Sequence, residues 1–219
     1  MKISILTLFP QMFQGPFDHS IIYRAKEKGL VEIKFIDIRE FGEGKHKVVD
    51  DTPYGGGLGM ILKVDVLKKA LDFALDPKLN KSEQKIILTS AAGITYKQSQ
   101  AKEYSHLKHL IIICGHYEGV DERIKDYIDE EVSVGDYVLT GGEIPAMIII
   151  DSVTRLIPQV FKEGVTENES HSIENILEHP HYTRPVDFEG KKVPEILLSG
   201  DHKKIENWKK SNSPKAKQK

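Results

Sequence analysis

The chain has 219 residues, 39% hydrophobic and 29% charged, with a formal net charge of −2. That length suits one domain of ordinary size plus a small second one, with a packed core under a charged, soluble surface. It excludes a helical membrane protein, because the longest apolar stretch, Ala146 to Ile150, is far short of the roughly 20 residues a bilayer demands, and a disulfide scaffold, because Cys114 is the lone cysteine. The N-terminus also lacks the pattern of a signal peptide. The expectation is a cytoplasmic protein with no membrane partner.

In chain order, Lys2–Phe9 reads as a strand ending at Pro10. Ile21–Lys28 reads as a helix stopped by Gly29. Val31, Ile33 and Phe35 alternate with charged residues, so Val31–Ile38 is a strand. A long loop, Arg39–Leu62, follows and carries Tyr54-Gly-Gly-Gly-Leu-Gly59; loops of this length are usually functional or disordered. Val66–Leu75 is helical. Strand Lys85–Thr89, helix Tyr96–His106, strand Leu110–Cys114, helix Asp121–Ile128, strand Glu131–Leu139 and helix Ile144–Leu156 then alternate. This order predicts an α/β fold, a parallel sheet with helices on its faces. The sequence divides into an α/β domain over 1–158, a polar linker over 159–172 and a small helical domain over 173–219, with Lys203–Lys210 its last helix.

The charge is unevenly spread. Gly190 to Lys219 holds 9 Lys against 3 acidic residues, a local charge of +6, on a body of −8. A basic end on an acidic body suits a phosphate-contacting arm. For Ser211–Lys219 a solvated, frayed tail is the plainer reading.

Ligands of open α/β sheets sit beyond the C-terminal ends of the strands. Three successive strands here end in loops of small residues: Leu88-Thr-Ser-Ala-Ala-Gly93, Cys114-Gly-His-Tyr-Glu-Gly119 and Gly135-Asp-Tyr-Val-Leu-Thr-Gly-Gly-Glu143. Glycine lets a ligand approach the main chain closely, so backbone N–H and C=O groups can read it. The loops carry no phosphate-binding G-x-x-x-x-G-K-[ST] and no dinucleotide fingerprint. His116 is their only basic side chain. S-adenosylmethionine (SAM), an adenosine joined to a sulfonium amino acid, fits such a pocket. Its positive sulfur and ammonium favour a nearby carboxylate such as Glu118. Cys114 reads as a buried small side chain. His116 reads as a loop or RNA-facing residue, because no second His stands at ligand spacing to it.

Five motifs carry a resemblance. Asp51-Thr-Pro-Tyr-Gly-Gly-Gly-Leu-Gly-Met60, Ile113-Cys-Gly-His-Tyr-Glu-Gly119, Gly135-Asp-Tyr-Val-Leu-Thr-Gly-Gly-Glu143, Arg155-Leu-Ile-Pro158 and His181-Tyr-Thr-Arg-Pro185 occur in this order. Over Ile3 to about Trp208 the chain resembles the bacterial tRNA (guanine-N1)-methyltransferases of the SPOUT class. The resemblance implies a deep trefoil knot in the α/β domain and a homodimer with shared active sites. It implies SAM as methyl donor, a Mg²⁺ requirement, and tRNA as substrate, methylated on guanine at position 37. By position it assigns SAM binding to Leu88, Thr89, Ser90, Gly115, Tyr117, Glu118, Val134, Gly135, Asp136, Tyr137, Val138, Leu139, Gly141 and Gly142. It adds Glu178, near the SAM amino group of a partner subunit. Tyr54, Gly55, Gly59, Tyr182 and Arg184 become candidate RNA contacts.

Guanine N1 is protonated at neutral pH, so its methylation needs a base, and a positive group should offset charge growing on O6. Arg155 is the candidate cation; its plainer reading is a helix C-terminal residue favoured by the dipole. The family's catalytic Asp has no plain counterpart in Thr166-Glu-Asn-Glu-Ser-His-Ser172. Spacing from Arg155 points to Ser170, and the acid-Ser-His pattern points to Glu169, the better base. A non-catalytic RNA- or SAM-binding module, and a methyltransferase of ribosomal RNA or ribose, are the rival readings.

Overall fold

The computed structural model describes residues 1–216; the last three residues of the expected tail lie outside it. The chain forms two compact units, the first Met1–Phe161 and the second beginning at Lys162. No helix among the described residues is long and apolar enough to cross a membrane.

The first unit is built on five parallel strands: β1 (Lys2–Thr7), β2 (Glu32–Asp37), β5 (Gln84–Thr95), β6 (His109–Cys114) and β7 (Glu130–Ser133), in the order β2-β1-β6-β5-β7. The mixed α/β class with a parallel sheet is as expected. The central strand β6 is buried along its whole length, which is why it reads as one continuous apolar run. Its side chains alternate between two cores. Leu110, Ile112 and Cys114 join Ile3, Ile5 and the apolar faces of α1 (Ser20–Glu27), α3 (Gln98–Ser105) and α4 (Glu143–Thr154). Ile111 and Ile113 join Leu6, Leu88 and α2 (Val64–Ala74) on the other face. Helices on both faces leave the strand ends as the open edge.

Four elements differ from the sequence reading. The long loop contains a 3-10 turn, Ile38–Phe41, and a short antiparallel pair, β3 (Asp50–Asp51) with β4 (Ile61–Leu62). The expected helix 121–128 is a 3-10 turn, Glu122–Tyr127, opened by the Asp121 carboxylate accepting from the Arg123 N–H at 3.0 Å. Strand β5 runs on to Thr95 after a bulge between Thr89 and Ile94, both of which face Val132. Strand β7 stops at Ser133, because the chain folds back on itself there: Tyr137 N–H donates to the Gly135 carbonyl at 2.9 Å and leaves no partner ladder.

The second unit is less helical than expected. It holds a hairpin of β8 (Asp187–Phe188) and β9 (Lys191–Lys192), then α5 (Glu195–Leu198) and α6 (His202–Ser211). The helix read as Lys203–Lys210 starts where Asp201 accepts from the Lys204 N–H at 3.1 Å. None of its described residues is buried.

One buried histidine makes the fold pH-sensitive. His109 is fully buried with Nε2 2.8 Å from Ser4 Oγ. Burial, assisted by the Lys2 charge, lowers its pKa to about 4. An unfolded histidine protonates near pH ~6.5. Between these values the unfolded chain binds more protons, so this contribution to stability is complete above pH ~6.5 and is lost as pH falls towards about 4. The stability advantage of the wild type over His109→Gln, read as a urea midpoint, should therefore shrink as pH is lowered through this window. A difference that stays constant would contradict it.

Candidate active site

Three loops at the open edge of the sheet enclose a cavity of about 440 Å³. They are the bulge after Thr89, the turn from Gly115 to Val120, and the segment from Val134 to Gly142. What holds them together is close backbone contact. The Gly142 N–H donates to the Gly115 carbonyl at 2.7 Å. The buried Thr89 hydroxyl is shared between the carbonyls of Ile113 (3.2 Å) and Gly142 (3.4 Å). A Cβ on residue 142 would overlap Thr89 Oγ1 and lie 2.7 Å from the Gly115 nitrogen, so only glycine fits. The neighbouring Gly141 is enclosed in the same way by Glu143 and by His116 Nδ1, which an added Cβ would approach to 2.6 Å.

Beneath the third loop lies Glu143, in the first turn of α4 and almost fully buried. A carboxylate there faces the positive end of the helix dipole. Its Oε1 accepts from the Thr7 hydroxyl at 2.7 Å, and Thr7 Oγ1 accepts from the Phe9 N–H at 2.9 Å. The tip of β1 thus pins the start of α4. Its Oε2 stands 3.9 Å from His116 Nδ1, beyond hydrogen-bond reach.

The glycine loop of residues 55–59 joins this cavity wall. Glu118 N–H donates to the Met60 carbonyl at 3.0 Å, and Leu62 N–H to the Gly119 carbonyl at 3.0 Å. Gly59 lies so close to Glu118 that an added Cβ would stand 2.6 Å from its Cγ. Tyr54 and Leu58, at the tip, are almost wholly exposed. The remaining charge on the wall comes from Glu122, Lys125 and Glu131. Lys125 pairs with both acids at 3.0 Å, and hydrogen bonds to Glu122, then Glu131, hold its pKa above the ordinary lysine value. Three carboxylates against one lysine leave the wall negative, which suits a cationic ligand.

Of the residues assigned to SAM from sequence, all but Asp136 and Glu178 line the cavity. Asp136 is exposed outside it. Glu178 belongs to the second unit, with Glu169, Tyr182 and Arg184. Arg155 directly follows α4, its guanidinium 5.4 Å from the centre of the Phe161 ring. Ser170 Oγ accepts from the Glu178 N–H at 3.0 Å. Tyr182 is half-exposed, with its ring 6.3 Å from Trp208. Cys114 is buried, and burial with the nearby Glu143 charge raises its thiol pKa well above the ordinary range, which disfavours the reactive thiolate. Sequence reasoning missed Lys125, Glu131 and Pro145 on the wall, and Thr7 beneath it, and gave Glu143 no role of its own. Glu143 closes a motif already singled out, and Pro145 lies two residues beyond it. Nothing in sequence ties Thr7 to a position 136 residues away.

The tRNA (guanine-1)-methyltransferase TrmD family model matches residues 1–219. The chain belongs to this family. It is 51% identical over 215 residues to a tRNA (guanine-N(1)-)-methyltransferase of Dictyoglomus turgidum, covering 98% of this chain and 86% of the relative. It is 51% identical over 214 residues to one of Carboxydothermus hydrogenoformans, covering 97% and 83%. A relative of the same name from Endomicrobium trichonymphae is 48% identical over 221 residues, covering 98% and 95%. The TrmD family match spans all five motifs and the three cavity loops.

Proposed function

We propose that this chain transfers a methyl group from SAM to N1 of the guanosine at position 37 of tRNA, in the cytoplasm. The observation that carries the reading is the cavity: three loops of small residues, a wall lysine already paired with two carboxylates, and a net negative wall, in a chain of the TrmD family. When bound, SAM supplies an electrophilic methyl group on a positive sulfur. The exposed backbone groups of the loops hold its adenosine, and Glu118 offsets its positive charge. The path of the chain through the Gly115 and Gly142 loops is read as the trefoil knot of the SPOUT class, and their close packing supports this.

Methyl transfer needs in-line placement of donor and acceptor rather than a covalent protein nucleophile. Glu169 takes the N1 proton, and Arg155 offsets the charge that grows on O6. A carboxylate accepts a proton at neutral pH far more readily than a serine hydroxyl, which supports Glu169 over Ser170 as the base. Tyr182, Arg184 and the Tyr54–Gly59 loop contact RNA. Mg²⁺ prefers oxygen ligands and keeps part of its water shell. With Glu118 already offsetting the SAM charge, water and substrate oxygens would make up most of its shell.

A homodimer completes the site. The second unit exposes Ile173, Val186, Phe188 and Leu198 and has no buried residue among those described. A segment of this size without a core gains too little burial to be stable alone. Glu178 then serves the SAM ammonium of the partner subunit.

Incubation with methyl-labelled SAM and unmodified tRNA, followed by mapping of the label, should place it on guanine N1. Label on ribose or ribosomal RNA, or no transfer, would overturn the reading. Under single turnover Glu169→Gln should slow transfer by roughly 10² or more, in line with general-base contributions, whereas Ser170→Ala should be mild; the reverse order would make Ser170 the family position. Mixed dimers of Arg155→Ala and Gly141→Val subunits should regain one working site, with Arg155 of one subunit acting at the SAM loops of the other. Activity no higher than either parent, with hybrids formed, would refute shared sites.

A further inference from the structure

We propose that Glu178, His179 and His181 bind a divalent transition-metal ion of the zinc, cobalt and nickel class. The local sequence builds the cluster. Pro180 biases the residue before it towards extended backbone, and residues i and i+2 of an extended segment share a face. His179 and His181 therefore stand together, with ring centres 4.6 Å apart. Glu178 Oε1 lies 3.0 Å from His181 Nε2. One ligand atom from each of the three residues falls within a group no wider than 4.8 Å. Bonds of about 2.0–2.1 Å to a tetrahedral zinc would place such atoms about 3.4 Å apart, so a side-chain shift of about an ångström closes the site.

A second observation points the same way. His179 Nδ1 is buried without a hydrogen-bond partner, and buried polar atoms normally have one. The His179 ring is also steadied by Trp208, 6.3 Å away. Two imidazoles and one carboxylate form a donor set for borderline metals rather than for Mg²⁺, which takes oxygen ligands. This site is therefore separate from the Mg²⁺ position considered above. Three protein ligands leave at least one coordination position open to water or a substrate atom. Glu178 is also the acid assigned above to a SAM ammonium, and a metal ion would compete with it.

The test uses the full-length chain, freed of metal with EDTA and dialysed, without SAM or tRNA, so its outcome is independent of the methyl-transfer reading. Trp208 is the only tryptophan in the chain and reports on the site directly. Titration with Co²⁺ alone should quench its fluorescence saturably at one equivalent. Zn²⁺ should displace the Co²⁺ and restore the signal, and Mg²⁺ should leave it unchanged. His179→Gln, His181→Ala and Glu178→Gln should each weaken Co²⁺ at least tenfold, with the fold checked by circular dichroism. His181 is exposed, so His181→Ala decides the matter even where His179→Gln fails to fold. Absence of a saturable quench, or wild-type affinity in His181→Ala, would overturn the site.

Discussion

The site depends on a backbone contact at Gly142. This residue opens α4, accepts the Thr89 hydroxyl on its carbonyl, and donates its N–H to Gly115. It therefore ties together the bulge of β5, the end of β6 and the start of the last helix of the first unit. No side chain can be accommodated there. Because the contact is made by main chain, it brings backbone donors and acceptors to the rim of the cavity rather than burying them under side chains. Thr7 and Glu143 brace it from below through a buried hydrogen bond across the sheet end. A buried carboxylate is costly unless it is hydrogen-bonded, so that bond also restricts how α4 can begin.

Charge then selects among ligands that could occupy such a rim. Loops at strand ends commonly bind phosphates through helix N-termini and lysine. Here Lys125 is engaged by Glu122 and Glu131, and Glu118 adds a further negative charge. Phosphate would meet repulsion, and a cationic sulfonium amino acid would meet attraction. The methyl-transfer reading rests on this contrast together with membership of the TrmD family.

Much of this was legible in the sequence. The five strands of the parallel sheet were marked by apolar runs and alternation, and β6 was plain because a strand buried on both faces has to be apolar throughout. The three loops were visible because close backbone contact demands small residues, which sequence records directly. Short elements were less visible. The turn at Glu122–Tyr127 has a helical composition, but Asp121 and its brevity keep it 3-10. The end of β7 depends on the turn at Gly135, which apolar residues continuing to Leu139 conceal. The brace between Thr7 and Glu143 left no trace, since nothing local links them. The Glu178–His181 cluster is the opposite case: its Glu-His-Pro-His spelling lies in the open in the sequence.

The central claim is that the wedged loops are the SAM site. Calorimetric titration of SAM into the wild-type chain and into Gly141→Val, without tRNA, tests it most directly. The account predicts that SAM binds the wild type and that the variant binds more than tenfold more weakly, a loss of about 1.4 kcal/mol or more, because the added side chain collides with His116 and Glu143 beside the cavity. A folded Gly141→Val chain that binds SAM as tightly as the wild type would contradict it.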